Sequence, residues 1–595
     1  MSKKFRQKEN KKERAKRLNL VVEQTRSQIL EVTKTNGGHL SANLGVVETT
    51  VALHEVFDFS VDKLIFDVGH QCYAHKILSD RKDKFCTLRQ KGGISGFPDA
   101  EESPFDAFST GHAGTSLSAS LGVCEARDRL GQDFYVIAVV GDGSLVNGLN
   151  LEALTSSINK PKKLIVILND NGMSISKNRN GFYKMISKST TQKGYVKSKR
   201  FAKKLFGKNF IGKILGGVRN LSKRLISGGN YFEKFGFKYV GVLDGNDVEQ
   251  MTDILRRVKN VAKDKAVFVH VNTTKGKGLS VAEESAELYH GVGKDFSLGS
   301  GSMSKALGKC LCAQIEKNDK IVAVTAGMKQ GTGLWQVEEK YPNNFIDVGI
   351  AEEFAVTFSA GMAKSGLKPV VAIYSTFMQR AYDQIMHDVC MQNLPVVFCL
   401  DRAGFVGEDG RTHQGLFDLS FLSHLPNLTI LSPINEYDLK LALDYALSLN
   451  SPVAIRYAKE GARSEVELKE YSQDANLVVK EGTDVEVLAV GGRMLDLALE
   501  FAKASPRSVK VRAIRKVNSL DGDLQSLTAP MIITLEENAI KGGFGSLIRQ
   551  FIKLPEGAKI VCLGAKDDFV KHGTVKEQFI DSDLTLENLL AITNI

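Results

Sequence analysis

Two apolar runs, each followed at once by glycine or short polar side chains, constrain the fold of this chain more than any other feature. The runs Phe134–Val140 and Leu164–Leu168 read as buried strands, and the periodic segment Leu149–Ser157 between them reads as a helix. A crossover that contains a helix joins parallel strands, so the sequence predicts a βαβ unit. Ligands of such sheets bind at the carboxyl ends of the strands.

Both predicted strands end in residues suited to a metal ion and a phosphate. The first is followed by GDG (141–143) and the second by NDN (169–171). The carboxylate of Asp142 and the amide oxygen of Asn171 offer two hard oxygen ligands to Mg²⁺, which takes further oxygens from phosphate and water. A simple turn at the DG pair and an ordinary polar loop are the alternative explanations of each motif taken alone.

Length, hydropathy and cysteine usage indicate a large globular protein. The 595 residues, 43% of them hydrophobic, predict three or four domains. No apolar run reaches the ~18 residues of a membrane span, and the basic start, interpreted as a solvated helix, leads into no apolar signal region. Eight scattered cysteines without a CxxC pair indicate reduced, mostly buried thiols. We therefore expect a cytoplasmic protein without a membrane partner.

The net charge of +11 arises in one segment. Residues 177–234 contain sixteen Lys or Arg and one acid, a local charge of +15, which leaves −4 for the rest of the chain. Weak periodicity with many Gly, Ser and Lys residues predicts a mobile excursion over the surface. A nucleic-acid patch is the less favoured alternative, because aromatic spacing and a known binding fold are missing; no nucleic-acid partner is expected.

Longer stretches of the chain resemble one known enzyme family. The GDG motif, 27 residues and then Asn171 match the fingerprint of thiamine-diphosphate enzymes, in the strand-helix-strand context that it requires. The stretches that resemble 1-deoxy-D-xylulose-5-phosphate synthases, a family of the transketolase-like group, are 37–54, 66–78, 89–98, 348–361, 372–389, 401–420 and 535–546. Tyr374, Arg380 and the THQG motif at 412–415 favour this family over transketolases and dehydrogenase E1 components.

The resemblance implies an α/β fold of three domains, with mainly parallel sheets flanked by helices, in a homodimer. Domain 1–300 is expected to bind the diphosphate and Mg²⁺, with 177–234 as an insertion. Domain 301–465 is expected to bind the aminopyrimidine, and domain 475–595 resembles the C-terminal domain of transketolases. Strands of this last domain are predicted at 485–490 and 531–537.

The cofactors that the resemblance implies are thiamine diphosphate and Mg²⁺. Glu352 is the acid expected to hydrogen-bond the aminopyrimidine and make it a base, although the residues alone do not separate it from Glu353. Phe377 is expected to stack on the pyrimidine, whereas core packing is the ordinary role of a lone Phe after a strand. The other expected cofactor residues are His70, Gly111, His112, Ala113, Gly143, Ser144 and Asn171, and the expected metal ligands are Asp142, Asn171 and Met173.

The implied reaction joins pyruvate to D-glyceraldehyde 3-phosphate through a thiamine-bound enamine, with release of CO₂ and a product that supplies isoprenoid precursors. Proton transfer is assigned by resemblance to His39, His290 and His413, since imidazole titrates near neutral pH. Arg402 is the first candidate for the fork of donors that the phosphate needs. The other expected substrate residues are Tyr374, Arg380, Asp409 and Lys459.

Five positions depart from the family's motifs around the expected substrate pocket. The family has Tyr where this chain has Leu279, His where it has Phe354, and Ser where it has Gly114. It has His at the position of Asn246 and Arg near the position of Lys459. These departures leave two alternatives open: a transketolase-like two-carbon transferase with a changed acceptor, and a non-catalytic relative. Retention of the expected acid and of two expected metal ligands argues against the second alternative.

Overall fold

The structure, a computed structural model, describes residues 9–156, 158–172, 229–299, 301–472, 476–520 and 522–593. The chain forms two compact units. The N-terminal unit comprises Met1–Leu88 and Gly96–Leu298, and the C-terminal unit comprises Arg89–Ser95 and Gly299–Ile595.

The N-terminal unit is built on one parallel sheet. Its strands are β1 (Lys63–Phe66), β2 (Val136–Gly141), β3 (Leu164–Asp170), β4 (Lys238–Asp244) and β5 (Val267–Asn272). They lie in the order β1-β2-β3-β5-β4, and each neighbouring pair is parallel. All seven residues of β3 are buried, as expected for a parallel sheet covered on both faces. The parallel pairing of β2 with β3 confirms the predicted βαβ unit.

The helices of this unit include the predicted crossover, which forms Gly148–Thr155. The first helix begins with a capping box, in which the side chains of Asn10 and Glu13 each accept the other residue's backbone N–H. The helices are Lys11–Asn36, Leu40–Gly45, Val47–Val56, Tyr73–Leu78, Thr115–Arg129, Asp142–Leu145, Gly148–Thr155, Gly229–Lys234, Val248–Ala262 and Ser280–Glu284, with 3₁₀ turns at Phe85–Thr87 and Lys294–Phe296.

Most of the predicted basic excursion, 177–228, lies outside the described residues. Its last residues form the helix Gly229–Lys234, in which Phe232 is fully buried and stacks on Phe268 with ring centroids 3.8 Å apart. The last six residues of the predicted excursion, 229–234, are thus helical and carry a buried aromatic ring.

The C-terminal unit contains two sheets. Its strands are β6 (Ile321–Thr325), β7 (Phe345–Asp347), β8 (Lys368–Tyr374), β9 (Val397–Asp401), β10 (Thr429–Leu431), β11 (Val453–Tyr457), β12 (Leu477–Lys480), β13 (Val485–Val490), β14 (Val509–Ile514), β15 (Met531–Ala539) and β16 (Lys559–Ala565). The first sheet, in the order β10-β11-β9-β8-β6-β7, is parallel throughout. The second, in the order β12-β14-β13-β15-β16, is parallel except for β12. Strands β13 and β15 confirm the two strands predicted there.

One apolar cluster extends across both sheets of the C-terminal unit: it contains Leu400 and Ala454 of the first sheet and Leu488 and Ile514 of the second. The two sheets thus share buried surface, and the division of the chain into three domains stays a prediction. The helices are Ser302–Lys317, Trp335–Lys340, Glu352–Lys364, Ser375–Met378, Asp418–Leu422, Glu436–Ser448, Gly492–Ala504, Phe544–Phe551, Val575–Asp581 and Leu586–Thr593, with a π-helix at Gln384–Cys390 and 3₁₀ turns at Pro342–Asn344, Gln379–Ala381, Gly410–Thr412 and Gly522–Ser526.

The thiols and the helix lengths agree with the sequence analysis. All eight cysteines are free, and Cys72, Cys124, Cys312, Cys390 and Cys399 are buried. In the ranges that the structure describes, none of the helices combines the length and the apolar character needed to cross a membrane. The mainly parallel sheets with flanking helices confirm the predicted α/β class.

Candidate active site

The carboxyl edge of the N-terminal sheet gathers polar residues that follow three neighbouring strands. Asp142 follows β2, Asn171 follows β3, and Lys275 lies three residues beyond β5. Because Gly141 lies opposite Asn169, the residues after β2 and β3 emerge at the same edge. Asp142 and Lys275 are buried, whereas Asn171 is partly exposed.

The donors at this edge suit a hard cation. Among the described residues, no group of three or more His, Cys, Asp or Glu side chains could hold a metal ion. The edge offers instead one carboxylate, Asp142, and one amide, Asn171, and such oxygen ligands match Mg²⁺ completed by phosphate and water. Gly143 and Ser144 are buried in the helical turn that Asp142 begins. The predicted ligand Met173 lies outside the described residues.

Lys275 belongs to this edge, although the sequence analysis did not identify it. Burial lowers its pKa to about 8, while the negative charges of Asp142 and Glu287 act in the opposite direction. A buried cation at an edge suited to a diphosphate has the charge that an anion would need there. The signal that could have identified it is a lysine just after the carboxyl end of a strand, within TTKGKGL (273–279).

The loop 111–113, predicted to contact the cofactor, is anchored by the buried carboxylate of Asp67. Asp67 accepts hydrogen bonds from the N–H of Gly114 (2.9 Å) and from the N–H (3.0 Å) and hydroxyl (2.9 Å) of Ser116. Burial raises the pKa of Asp67, and these hydrogen bonds oppose the rise. The loop is therefore fixed at the start of the helix Thr115–Arg129.

Gly114, one of the departures from the family, has a structural reason. Its φ is +94°, and a Cβ there would lie 2.3 Å from Oδ1 of Asn147. A serine at this position would require Asn147 to move, so the two residues are matched. Nearby, the Nδ2 of Asn150 donates to Asp67 (3.1 Å) and to the carbonyl of Ser144 (2.8 Å), which connects the anchor of the loop to the metal edge.

Three predicted histidines of the N-terminal unit form one cluster. The rings of His39, His70 and His290 lie 5.1 to 5.7 Å apart between centroids. Burial lowers the pKa of His290 well below its ordinary value, and the charges of Lys275 and of the other two histidines add to this effect. His290 is therefore neutral near pH 7, and its Nδ1 has no hydrogen-bond partner among the described residues.

Asn246, a second departure, braces the segment that carries Lys275. Its Nδ2 donates to the carbonyl of Gly45 (3.0 Å) and to Glu48 (3.2 Å), and its Oδ1 accepts the N–H of Thr274 (2.7 Å). Leu279, a third departure, is partly exposed and directly precedes a short helix. The Asn side chain thus has a defined role in the local packing.

In the C-terminal unit, Glu352 begins the helix Glu352–Lys364 and is 3% exposed. Burial raises its pKa to about 7, although the charge of Arg380, whose Nη1 lies 3.4 Å from Oε2 of Glu352, opposes the rise. Glu353 is partly exposed. Burial therefore separates the two glutamates that the sequence could not, and Arg380, predicted at the substrate, contacts Glu352.

Three rings predicted at the site lie together after β8. Tyr374 and Phe377 stack with centroids 5.9 Å apart, and His413 meets Phe377 edge-on at 5.4 Å. Asp409 accepts a hydrogen bond from Arg89 (2.8 Å). Burial lowers the pKa of His413. The negative charge of Asp409 opposes this shift, and the positive charge of Arg89 adds to it.

Arg402 is partly engaged within the protein. Its guanidinium lies 4.1 Å from the ring centroid of Tyr374, and Nη1 donates to the carboxylate of Asp401 (2.6 Å) and to the carbonyl of Gly331 (2.8 Å). Lys459, the departure from the family's second phosphate-binding arginine, is exposed beyond β11. The two predicted phosphate residues thus differ in burial and in rigidity.

Known proteins resemble this chain along nearly its whole length. A family model described as 1-deoxy-D-xylulose-5-phosphate synthase matches residues 3–273, and one described as transketolase, pyrimidine binding domain, matches 300–464. The 1-deoxy-D-xylulose-5-phosphate synthase of Clostridium tetani is 43% identical over an alignment of 600 positions, which covers 97% of this chain and 96% of that protein. The chain belongs to the 1-deoxy-D-xylulose-5-phosphate synthase family.

A second member of the synthase family, from Carboxydothermus hydrogenoformans, is 46% identical over an alignment of 603 positions, which covers 97% of this chain and 96% of that protein. A solved transketolase from Leishmania mexicana covers 98% of this chain and 97% of its own, with 17% identity and a TM-score of 0.43. The synthase family is a thiamine-diphosphate-dependent transferase family whose usual metal is Mg²⁺. The predicted family, enzyme class and cofactors are thereby confirmed.

Proposed function

We propose that this chain is a 1-deoxy-D-xylulose-5-phosphate synthase, which condenses pyruvate with D-glyceraldehyde 3-phosphate and releases CO₂. The observation that carries the proposal is 43% identity to a curated synthase over 97% of the chain. The product would supply isoprenoid precursors. Residues with the burial and charge that the chemistry needs support the proposal in each unit.

The buried acid of the C-terminal unit fits thiamine diphosphate. When bound, this cofactor supplies a nucleophilic carbon and an electron sink. Because its pKa is about 7, Glu352 holds its proton near neutral pH and can donate a hydrogen bond to a ring nitrogen. Phe377, which is partly exposed, would pack against the aminopyrimidine. Arg380 would keep Glu352 from becoming too weak an acid.

The edge of the N-terminal sheet fits the diphosphate and its metal. Asp142 and Asn171 would hold Mg²⁺ through oxygen, and Gly143 and Ser144 would lie beside the phosphates. Lys275 would add a positive charge from the buried side of the edge. The loop 111–113, which contains Gly111, His112 and Ala113, would contact the cofactor from its anchor at Asp67.

The histidines would hold and move protons at the reacting carbonyl groups. His70 would lie against the cofactor, with His39 and His290 at the substrates of the N-terminal cluster. His290 is neutral near pH 7. One of its ring nitrogens then carries a proton that it can donate, and the other can accept a proton. His413 would serve the C-terminal side, where burial also favours its neutral form.

The substrate's phosphate and hydroxyl groups would contact the C-terminal unit. Arg402 uses Nη1 for its hydrogen bond to Asp401, and its other guanidinium nitrogens would bind the phosphate. Lys459 would add a point charge from an exposed, flexible side chain. Tyr374 and Asp409 would orient the hydroxyl groups. A weaker grip by Lys459 than by an arginine would raise the KM for the aldehyde.

We further propose a cytoplasmic homodimer. Eight free thiols are typical of a reducing compartment. The helix Glu352–Lys364 packs against the π-helix Gln384–Cys390. The pair exposes Phe354 (55%) and Met386 (39%), and Met391 (64%), which directly follows the π-helix, is exposed as well. Large exposed apolar side chains of this kind mark protein interfaces. Sedimentation equilibrium should give twice the chain mass, and a mass of one chain would contradict the dimer.

The deciding experiment is CO₂ release from pyruvate by the purified protein with thiamine diphosphate and Mg²⁺, with and without D-glyceraldehyde 3-phosphate. We expect release that the aldehyde stimulates, together with a five-carbon deoxyketose phosphate identified by mass. Two-carbon transfer from a ketose phosphate without CO₂ would instead assign transketolase chemistry. Absence of both reactions would leave a non-catalytic relative.

A further inference from the structure

Asn43 hydrogen-bonds the backbone of two histidines of the N-terminal cluster and has no role in the proposed function. It is fully buried in the helix Leu40–Gly45, which begins directly after His39. A buried amide must have hydrogen-bond partners, since leaving one unsatisfied is costly. The partners of Asn43 are therefore informative.

The amide of Asn43 joins the backbones of two site histidines. Its Nδ2 donates to the carbonyl of His39 (2.5 Å) and to the carbonyl of His70 (2.6 Å). Its Oδ1 accepts the N–H of Tyr73 (2.8 Å). Both N–H donors are thus used, and the reverse orientation would direct an oxygen at two carbonyl oxygens. The network itself fixes the orientation of the amide.

Further contacts hold the same segments together. The N–H of His39 donates to the hydroxyl of Tyr73 (3.2 Å), and Gly38 packs so closely that a Cβ there would lie 2.7 Å from this hydroxyl. Gly38 also exchanges two backbone hydrogen bonds with Val292, at 2.8 and 2.9 Å, two residues beyond His290. The hydroxyl of Tyr73 thus also connects the two segments, and Asn43 is the side chain that binds the carbonyl groups of His39 and His70 themselves.

We propose that Asn43 is a positioning residue that sets the separation of His39 and His70 by binding both of their carbonyl groups. The inference rests on the roles proposed for these histidines, proton transfer for His39 and cofactor contact for His70. Their ring centroids lie 5.6 Å apart, and a misplacement of about 1 Å in a catalytic site can cost about 10²-fold in rate. A side chain that spans both segments controls this distance.

The test is Asn43→Asp, which keeps the size of the side chain and an acceptor for Tyr73 but places a carboxylate oxygen opposite two carbonyl oxygens. Asn36→Asp is the matched control, because the Nδ2 of Asn36 also donates to two carbonyls, those of Cys86 (2.9 Å) and Leu88 (3.0 Å). We expect kcat to fall about 10–100-fold and its pH profile to shift in Asn43→Asp alone. Equal kcat values and pH profiles in the two variants would overturn the proposal.

A readout without cofactor or substrate tests position directly. Imidazole C–H signals of His39 and His70, assigned with His39→Gln and His70→Gln, should shift in Asn43→Asp and stay in place in Asn36→Asp. If Asn43→Asp does not fold, Asn43→Ser, which removes both donors without adding charge, gives the same comparison. Unshifted ring signals would overturn the positioning role. Full activity of both histidine variants would instead overturn their proposed roles, and the ring signals would still decide the role of Asn43.

Discussion

Lys275 of the N-terminal unit and Glu352 of the C-terminal unit are a buried base and a buried acid whose pKa values are shifted in opposite directions. Burial lowers the pKa of Lys275 to about 8 and raises that of Glu352 to about 7. Lys275 faces two carboxylates at the edge of a parallel sheet, whereas Glu352 faces an arginine at the start of a helix. The same physical cause, desolvation, therefore shifts both pKa values toward neutral pH.

The difference assigns a separate task to each unit. In the proposed function, the buried charge of the N-terminal unit would belong to a set of ligands for a cation and an anion, so its loss should weaken binding. The buried carboxyl of the C-terminal unit would hold a proton, so its loss should stop the chemistry and spare binding. Variants that exchange these outcomes would break the comparison.

The largest effect is expected for Glu352→Gln, which keeps the shape of the side chain and removes the transferable proton. General acid–base groups contribute about 10²–10⁴-fold, and kcat should fall by that factor while Mg²⁺-dependent thiamine-diphosphate binding persists. Steady-state kinetics and calorimetry measure the two quantities. Glu353→Gln, on the same helix but partly exposed, is the control with near-normal kcat. Equal losses in both variants would contradict the assignment.

The pH dependence of stability sharpens the same point without catalysis. Between pH 4.5, the ordinary pKa of a glutamate, and about 7, the folded protein keeps a proton on Glu352 that the unfolded chain releases. The free energy of unfolding therefore falls as pH rises through this window, by about 3 kcal/mol at most. Gln does not titrate, so the melting temperature of Glu352→Gln relative to the wild type should be higher at pH 8 than at pH 5. An unchanged difference would show that Glu352 is not protonated by burial.

A binding defect is expected for Asp142→Asn, which removes the one carboxylate assigned to the metal edge. We expect the affinity for Mg²⁺ in the presence of thiamine diphosphate to fall about 10–100-fold, as measured by calorimetry. Asp244→Asn is the matched control, because Asp244 ends β4 of the same sheet and is exposed. If the Mg²⁺ affinity is unchanged in Asp142→Asn and falls in Asp244→Asn, the metal site does not include Asp142.

A smaller binding defect is expected for Lys275→Met, which keeps the length of the side chain and removes its charge. Loss of one charge-assisted contact should weaken thiamine-diphosphate binding about tenfold. Lys277→Met serves as the control, since Lys277 is partly exposed two residues away. A fall in kcat with unchanged cofactor affinity would instead give Lys275 a role in the chemistry. It would contradict the assignment of binding to the N-terminal unit and of proton chemistry to the C-terminal unit.

Local sequence patterns predicted the N-terminal site better than the C-terminal one. The βαβ unit and the common edge of Asp142 and Asn171 follow from strands that are contiguous in the chain. Lys275 follows a third strand, β5, and its place beside them depends on strand order, which the sequence pattern does not contain. From the sequence, Gly114 indicates only the loss of a serine hydroxyl. The structure gives the reason for the glycine, because Asn147 occupies the space that a Cβ would need.

The C-terminal acid shows the opposite case. Glu352 and Glu353 are adjacent, and no periodic or turn signal separates them. Burial separates them, because the helix Glu352–Lys364 packs one of its faces against the sheet and turns Glu353 outward. Resemblance to a known family selects Glu352, and its burial supplies a physical reason for that choice, which stays a prediction. Met173 and most of the basic segment lie outside the described residues, and their predicted roles stay predictions.

In the proposed function, Glu352 is the buried acid that would make bound thiamine diphosphate reactive. The most direct measurement is the rate at which the bound cofactor exchanges its C2 proton for deuterium, followed by NMR after acid quench, in the wild type and in Glu352→Gln. We expect exchange to be slower by about 10²-fold or more in the variant, with the cofactor still bound. Equal exchange rates would contradict it, because the activation of the cofactor would then not depend on this carboxyl group.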